Sequence, residues 1–135
     1  MSFETVRVSL DSYLKDNFGS DYQILPENFP FTPPSGIPWV RYSIRPVTSL
    51  NADVSGIFRR RNYLLWFQIF VPEDTGTVSA NKIADLIASL FDNHTIISTD
   101  GTMIFQRAEL TFIGPDTTGW QLFRCTVAFR DDSGA

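Results

Sequence analysis

Apolar residues recur along the chain with two different periods, and the change of period separates helices from strands. Near the N-terminus they are spaced three or four residues apart, which predicts an amphipathic helix. These positions are Phe3, Val6, Leu10, Tyr13 and Leu14. Ser2 is placed to cap the first turn, and Gly19 is placed to end the helix.

A second helix is predicted after the turn PEDTG. Its apolar stripe consists of Ala80, Ile83, Ala84, Ile87, Leu90 and Phe91. Ser79 is placed as the N-cap. Val78 stands before that cap and Ile83 inside the helix, which is the spacing of a hydrophobic staple.

Four segments have the composition and periodicity of strands. They cover residues 38–47, 58–71, 103–113 and 120–130. In the first segment Val40, Tyr42 and Ile44 share one side, while Trp39, Arg41, Ser43 and Arg45 share the other. The polar connection at 48–56 joins the first two strands as a long hairpin.

The order of elements is therefore α-β-β-α-β-β in a single domain spanning residues 1–135. It predicts an α+β fold, a two-layer sandwich with a mostly antiparallel sheet of about four strands and two helices on one face. Five prolines between Asp21 and Pro38 exclude a helix and a central strand there. That stretch is predicted to be an extended, irregular crossing held to the body by Phe29 and Phe31.

The segment FRRRNYLLWFQIF is apolar on both sides of its strand. Tyr63, Leu65, Phe67, Ile69 and Val71 fall on one side, and Leu64, Trp66 and Phe70 fall on the other. Because the helices cover only one face of the predicted sheet, the second side has no cover from within the chain. An aromatic sheet face of this kind predicts association between chains.

Composition points in the same direction. Nine of the eleven basic residues are arginine, and nineteen residues are aromatic; both types are enriched at protein–protein contacts. A phenylalanine-rich core is the alternative explanation of the aromatics. The net charge of −4 disfavours general DNA binding, which usually needs a basic surplus.

The sequence offers few residues for catalysis or for metal binding. The chain has one histidine, His94, and one cysteine, Cys125, too few for a zinc cluster. No phosphate-binding glycine motif or nucleophile elbow occurs. We expect no enzyme activity and no cofactor. Without a secretory signal or an apolar run of roughly 18 residues, the chain is predicted to be soluble and intracellular, with no membrane contact.

The arginine triplet is split by strand alternation, which sends Arg59 and Arg61 to one side and Arg60 to the other. An exposed cluster that protects a sheet edge is one interpretation. Salt bridges to a neighbouring subunit are another, and a small nucleic-acid-binding module that also uses Tyr63 and Trp66 is a third.

In this order, the segments resemble the tail terminator proteins of long-tailed bacteriophages, of the lambda type. The likeness rests on the N-terminal helix, the crossing that ends in PWVRYSI, the stretch FRRRNYLLWFQIFVPEDTG, the helix SANKIADLIASLF and the closing WQLFRCTVAFR. The resemblance implies a structural protein without catalysis. Such a protein forms a six-membered ring on the tail tube, stops its polymerisation and offers a surface to the head connector while DNA passes through without specific binding.

The residues that make these contacts are predicted from their positions on the sheet and in the loops, because the family has no short motif that would identify them. Candidates for the subunit interface are Trp39, Arg41, Arg59, Arg60, Arg61, Trp66 and Phe70. Candidates for meeting the tail tube protein are Asn51, Asp53 and Gly56. The expected location is the virion tail, assembled in the host bacterial cytoplasm. A head-completion or minor tail component is the alternative that differs mainly in its partner.

Overall fold

The computed structural model describes residues 2–33, 36–51, 59–98, 100–116 and 119–133, without the side chains of Leu50 and Asn51. Two helices and six strands follow one another in this part of the chain. They are α1 (Phe3–Asn17), β1 (Gln23–Pro26), β2 (Trp39–Asn51), β3 (Arg59–Pro72), α2 (Val78–Phe91), β4 (Thr95–Ser98), β5 (Gly101–Pro115) and β6 (Trp120–Ser133).

Helix α1 begins and ends as its sequence predicts. The Ser2 hydroxyl accepts a hydrogen bond from the Thr5 amide at 3.0 Å, which satisfies one free donor of the first turn. After the C-cap residue Phe18, Gly19 takes a φ of 84°, a conformation that glycine adopts at low cost. The face of the helix that carries Val6, Leu10 and Leu14 is buried.

Helix α2 keeps the predicted apolar stripe but begins differently. Its buried residues are Ala80, Ile83, Ile87 and Phe91. The N-cap is Thr77, whose side chain makes no capping hydrogen bond, so the prediction of Ser79 as the cap was wrong. Val78 belongs to the helix and is 62% exposed. The predicted staple between Val78 and Ile83 therefore does not form.

The predicted fold class was wrong in strand number, order and shape. The sheet has six strands in the order β1-β2-β3-β6-β5-β4, and β1 pairs with β2 in parallel while the other pairs are antiparallel. The sheet is mixed and curls into a half-barrel instead of forming one flat layer of a sandwich. Bulges between Pro46 and Thr48 and between Phe105 and Ala108 increase the local twist of such long strands.

The two unpredicted strands lie at the edges and have four residues each. Strand β1 interrupts the crossing that was predicted to be irregular, and it ends at Pro26, where an edge strand tolerates proline. Strand β4 follows α2 after a short turn through Asn93, which has a φ of 53°. Neither segment is long enough to show alternation.

Both helices pack on the same side of the sheet and contact each other. The Tyr13 hydroxyl donates to the Leu90 carbonyl at 2.7 Å, and its ring meets that of Phe91 edge-on at 5.4 Å. The helices and the inward side chains of the sheet form one core, in which Leu65, Phe67 and Ile69 are fully buried. None of the described elements covers the opposite side of the sheet.

Candidate functional site

The side of the sheet opposite the helices, here called the helix-free face, is defined by strand alternation and register. It consists of Trp39, Arg41, Ser43 and Arg45 on β2, Arg60, Asn62, Leu64, Trp66, Gln68 and Phe70 on β3, Leu122, Arg124, Thr126, Ala128, Arg130 and Asp132 on β6, and Thr102, Ile104, Glu109 and Thr111 on β5. The alternation predicted for β2 and β3 is confirmed. The contributions of β5 and β6 could not be assigned from sequence because their registers were unknown.

Trp66 lies at the centre of the helix-free face. Its ring is contacted by two guanidinium groups, that of Arg124 at 4.4 Å and that of Arg45 at 5.3 Å from the ring centroid. Trp66 remains partly exposed. Cation–π contacts of this kind hold flexible arginines against the sheet, each with an energy of about 0.5–1 kcal/mol at exposed sites.

Trp39 and Phe70 are covered within the chain. Their rings stack at 4.1 Å with an interplanar angle of 7°, and Phe31 and Trp120 close over Trp39 at 5.1 and 6.3 Å. Only 6% of Trp39 and 8% of Phe70 remain exposed. Phe31 therefore anchors the crossing as predicted, whereas Phe29 is 51% exposed.

The arginine triplet is divided as the alternation predicts. Arg60 lies on the helix-free face, where its Nε atom bonds Asp132 at 2.8 Å, and Arg130 joins the same carboxylate at 3.2 Å. Arg61 lies on the helix side, with its guanidinium 4.3 Å from the ring centroid of Phe3. Arg59 is exposed.

The pKa of Asp132 reflects these two arginines. Partial burial raises it, but the hydrogen bonds and charges of Arg60 and Arg130 outweigh burial and leave the pKa below its ordinary value. Asp132 is therefore ionised over the physiological range. It holds the two arginines in place at one end of the helix-free face.

Arg41 and Arg124 have unused hydrogen-bonding capacity. Among the described residues neither one pairs with a carboxylate, and the Nε atom of each is buried without a partner. The indole Nε1 of Trp39 on the same face is also unpartnered. Both arginine residues remain partly exposed, so their guanidinium groups can pair with acceptors on another surface.

Charge is distributed unevenly between the helix-free face and the rest of the chain. The face carries five arginines against three carboxylates, those of Glu27, Glu109 and Asp132, with Glu27 placed there by its 2.8 Å ion pair to Arg45. The remaining chain has six basic and twelve acidic residues. A basic face on an acidic molecule is complementary to other parts of its own surface.

A groove of about 460 Å³ runs along the Asp132 end of this face. It is lined by Val47, Arg60, Asn62, Tyr63, Leu64, Ile104, Gln106, Ala128, Phe129 and Arg130. It is continuous with the surface around Trp66. Of the residues predicted to meet the tail tube, Asn51 ends β2, while Asp53 and Gly56 lie outside the described residues.

Other candidate chemistry lies inside the fold. Burial and the nearby charge of Asp92 raise the pKa of Cys125 to about 12, so its thiol is not ionised at neutral pH. His94 stacks on Tyr13 at 5.0 Å. In the described part of the chain, no group of three or more His, Cys, Asp or Glu side chains is arranged to hold a metal, and no helix is long and apolar enough to cross a membrane.

Comparison with known proteins decides the family. The model of the phage tail terminator protein family matches residues 5–129. The chain belongs to this family. It is a structural component of phage tails, and the resemblance found in the sequence is confirmed.

Structural comparison supports the fold alone. One solved structure, which carries no descriptive name, aligns over 100% of this chain and 98% of its own, with a TM-score of 0.77 and 18% sequence identity. No curated protein matches the chain.

Proposed function

We propose that this protein caps the phage tail tube as a homohexameric ring, stops tail polymerisation and provides the surface to which the head attaches. The observation that carries the proposal is the helix-free face of a tail terminator chain. This face leaves Trp66 partly exposed between Arg45 and Arg124, and it carries basic charge on an acidic molecule.

The subunit contact is proposed to centre on Trp66, Arg41 and Arg124. These residues offer partly exposed aromatic surface and two guanidinium groups that pair with no carboxylate among the described residues, and a neighbouring subunit would supply apolar cover and carboxylates. Arg60 contributes with its partner Asp132, while Arg59 lies at the rim. Trp39 and Phe70 lie on the same face but are already buried within the chain, so they add little surface to the proposed contact.

The tail tube protein and the head–tail connector are the proposed partners on the two rims of the ring. The segment that includes Asn51, Asp53 and Gly56 is proposed to meet the tube. DNA is proposed to pass through the channel without specific binding, because a protein of net charge −4 has little non-specific affinity for phosphate.

A nucleic-acid-binding module is less well supported by the contacts. Base stacking on Trp66 would have to displace the guanidinium groups of Arg45 and Arg124 from its ring. Phosphate binding by Arg60 and Arg130 would compete with Asp132. A head-completion or minor tail component would use the same face, and it differs in its partner.

Complementation of a phage that lacks the gene tests the proposal. Without the protein, we expect tails longer than normal that carry no heads, seen by electron microscopy. Restoring the wild-type chain should restore tail length, and Trp66→Ala should restore it poorly while circular dichroism shows an intact fold. Ile97→Ser is a matched control, since Ile97 is 78% exposed on the distant strand β4. Tails of normal length in the absence of the protein would contradict the proposal.

A further inference from the structure

One half of β5 has an open edge. Strand β4 pairs only with Gly101–Ile104, and beyond it the Phe105 amide donates to the His94 carbonyl at 2.9 Å and the Ala108 amide to the Asp92 carboxylate at 2.7 Å. No described strand lies along 109–115 on that side. Because the direction of backbone groups alternates along a strand, the amides and carbonyls of Leu110 and Phe112 point outward.

This edge is also apolar, and no proline blocks strand addition along it. Leu110 is 40% exposed, Phe112 is 62% exposed and Ile113 is 44% exposed. The other edge of the sheet, formed by β1 and the end of β2, is different. The Glu27 amide donates to the Tyr42 carbonyl, so alternation along each strand turns the backbone nitrogens of Pro26 and Pro46 toward the free edge. Neither nitrogen can donate a hydrogen bond there. Proline there blocks strand addition, and β5 has no equivalent between Ala108 and Gly114.

The open edge borders acidic and small side chains. A groove of about 440 Å³ separates it from α2 and is lined by Asn81, Ala84, Asp85, Ala88, Ala108, Leu110 and Cys125. Asp85, which is exposed and lines this groove, brings a carboxylate close to the open edge. The edge therefore combines apolar surface with acceptors.

We propose that the open edge of β5, Glu109–Ile113, receives the helix-free face of a second copy of this chain, head to tail. Charge complementarity favours this occupant: the face is basic around Arg41 and Arg124, and the edge offers backbone carbonyls and the carboxylate of Asp85. Trp66 supplies an aromatic surface for Leu110 and Phe112. The inference rests on the proposed ring and names the second half of its interface.

A contact between two different surfaces is heterologous, so every subunit keeps one face and one edge for its neighbours. Repetition of such a contact closes a ring when the rotation between neighbours divides a full turn, and no edge of β5 is then left open. Pairing of two β5 edges around a two-fold axis would instead give a closed dimer, which cannot extend into a ring. Cross-linking separates these two arrangements.

Two single-cysteine variants make the test, Ile113→Cys on the edge and Thr126→Cys in the centre of the face. Cys125 is left in place, because its buried thiol has a pKa raised to about 12. Each variant, and a mixture of the two, is expressed in cells infected by a phage that lacks the gene. Purified tails are then treated with a short bis-maleimide. We expect dimeric cross-links in the mixture and none with either variant alone.

Charge exchange gives an independent measurement. Arg124→Glu and Asp85→Arg should each lower ring occupancy of tails at least about tenfold, in line with the coupling of close interfacial charges. The chain that carries both changes should recover most of it. Lys82→Glu is the matched control for charge alone and should change occupancy less than twofold.

The outcomes are distinct. Cross-links with Ile113→Cys alone, or tails that carry several copies without any cross-link in the mixture, would overturn the head-to-tail contact and leave the proposed function intact. Failure of the double charge exchange to restore occupancy would overturn it as well. Tails without any copy of the wild-type chain would contradict the proposed function, and with it this inference.

Discussion

Among individual residues, Tyr63 and Asp131 form a buried hydrogen bond in the core. The Tyr63 hydroxyl donates to Asp131 Oδ2 at 2.9 Å, and Asp131 is fully buried. Burial, together with the hydrogen bond and charge of Asp131, raises the pKa of Tyr63 to about 12. The hydroxyl is therefore protonated and able to donate over the whole neutral range.

Tyr63→Phe is expected to destabilise the protein by about 1–3 kcal/mol, because a buried carboxylate loses a donor that nothing replaces. Urea denaturation followed by tryptophan fluorescence measures the change. Asp131→Asn and the double variant complete a mutant cycle that isolates the coupling between the two side chains. Equal stability of Tyr63→Phe and wild type would show that the hydrogen bond contributes nothing.

The ion pairs of Asp132 predict a defined dependence on pH. Because its pKa in the folded protein lies below its ordinary value of 3.8, the pairs stabilise the fold above that value, and the contribution is lost as the pH falls through the folded pKa. Asp132→Asn should therefore lower stability by at most about 1 kcal/mol at neutral pH, since the pairs are partly exposed. The difference should close on acidification below the ordinary pKa. A gap that widens in acid would refute this assignment.

Individual side chains also show where sequence reasoning ends. The two-residue period was enough to separate Arg60 from its neighbours in the triplet and to place Trp66 away from the core. It could not reveal that Phe31 and Trp120 close over Trp39, because these contacts join segments far apart in sequence. Burial of Trp39 and Phe70 follows from tertiary packing alone.

At the scale of elements, the two helix starts form a natural comparison. The Ser2 side chain caps α1, while the side chain of Thr77 makes no such hydrogen bond in α2. Ser2→Ala should therefore cost about 1 kcal/mol, as loss of a capping bond does. Thr77→Ala should change stability by less than half as much. Thermal unfolding of both variants measures the difference, and an equal loss in the two would contradict it.

Local patterns predicted both helices and the four long strands at nearly their observed positions, because each has enough residues to show its period. They failed for β1 and β4, which have four residues each and are defined by their pairing with β2 and β5. With these two strands missing, the sheet was predicted as four-stranded and mostly antiparallel. Register and edges are properties of strand pairing, so the open half of β5 could not be found from sequence.

At the scale of the whole molecule, the separation of charge matters more than its total. The net charge of −4 arises from an acidic surface that surrounds a basic face, and self-association would bring the two together. Between charges exposed to solvent, attraction weakens beyond the screening length, which is about 8 Å at physiological ionic strength. The same basic face is the part of the molecule that could attract DNA.

The isolated chain is not expected to bind duplex DNA at physiological salt. We expect no shift of duplex DNA in a gel at about 150 mM salt, because binding that depends on phosphate neutralisation weakens steeply with salt and Arg60 and Arg130 already share Asp132. Asp132→Lys removes that carboxylate and adds a charge, so this variant should bind DNA more strongly at low salt and serves as the positive control. A shift by the wild-type chain at this salt concentration would mean that the basic face binds DNA, and the alternative of a nucleic-acid-binding module would then be preferred.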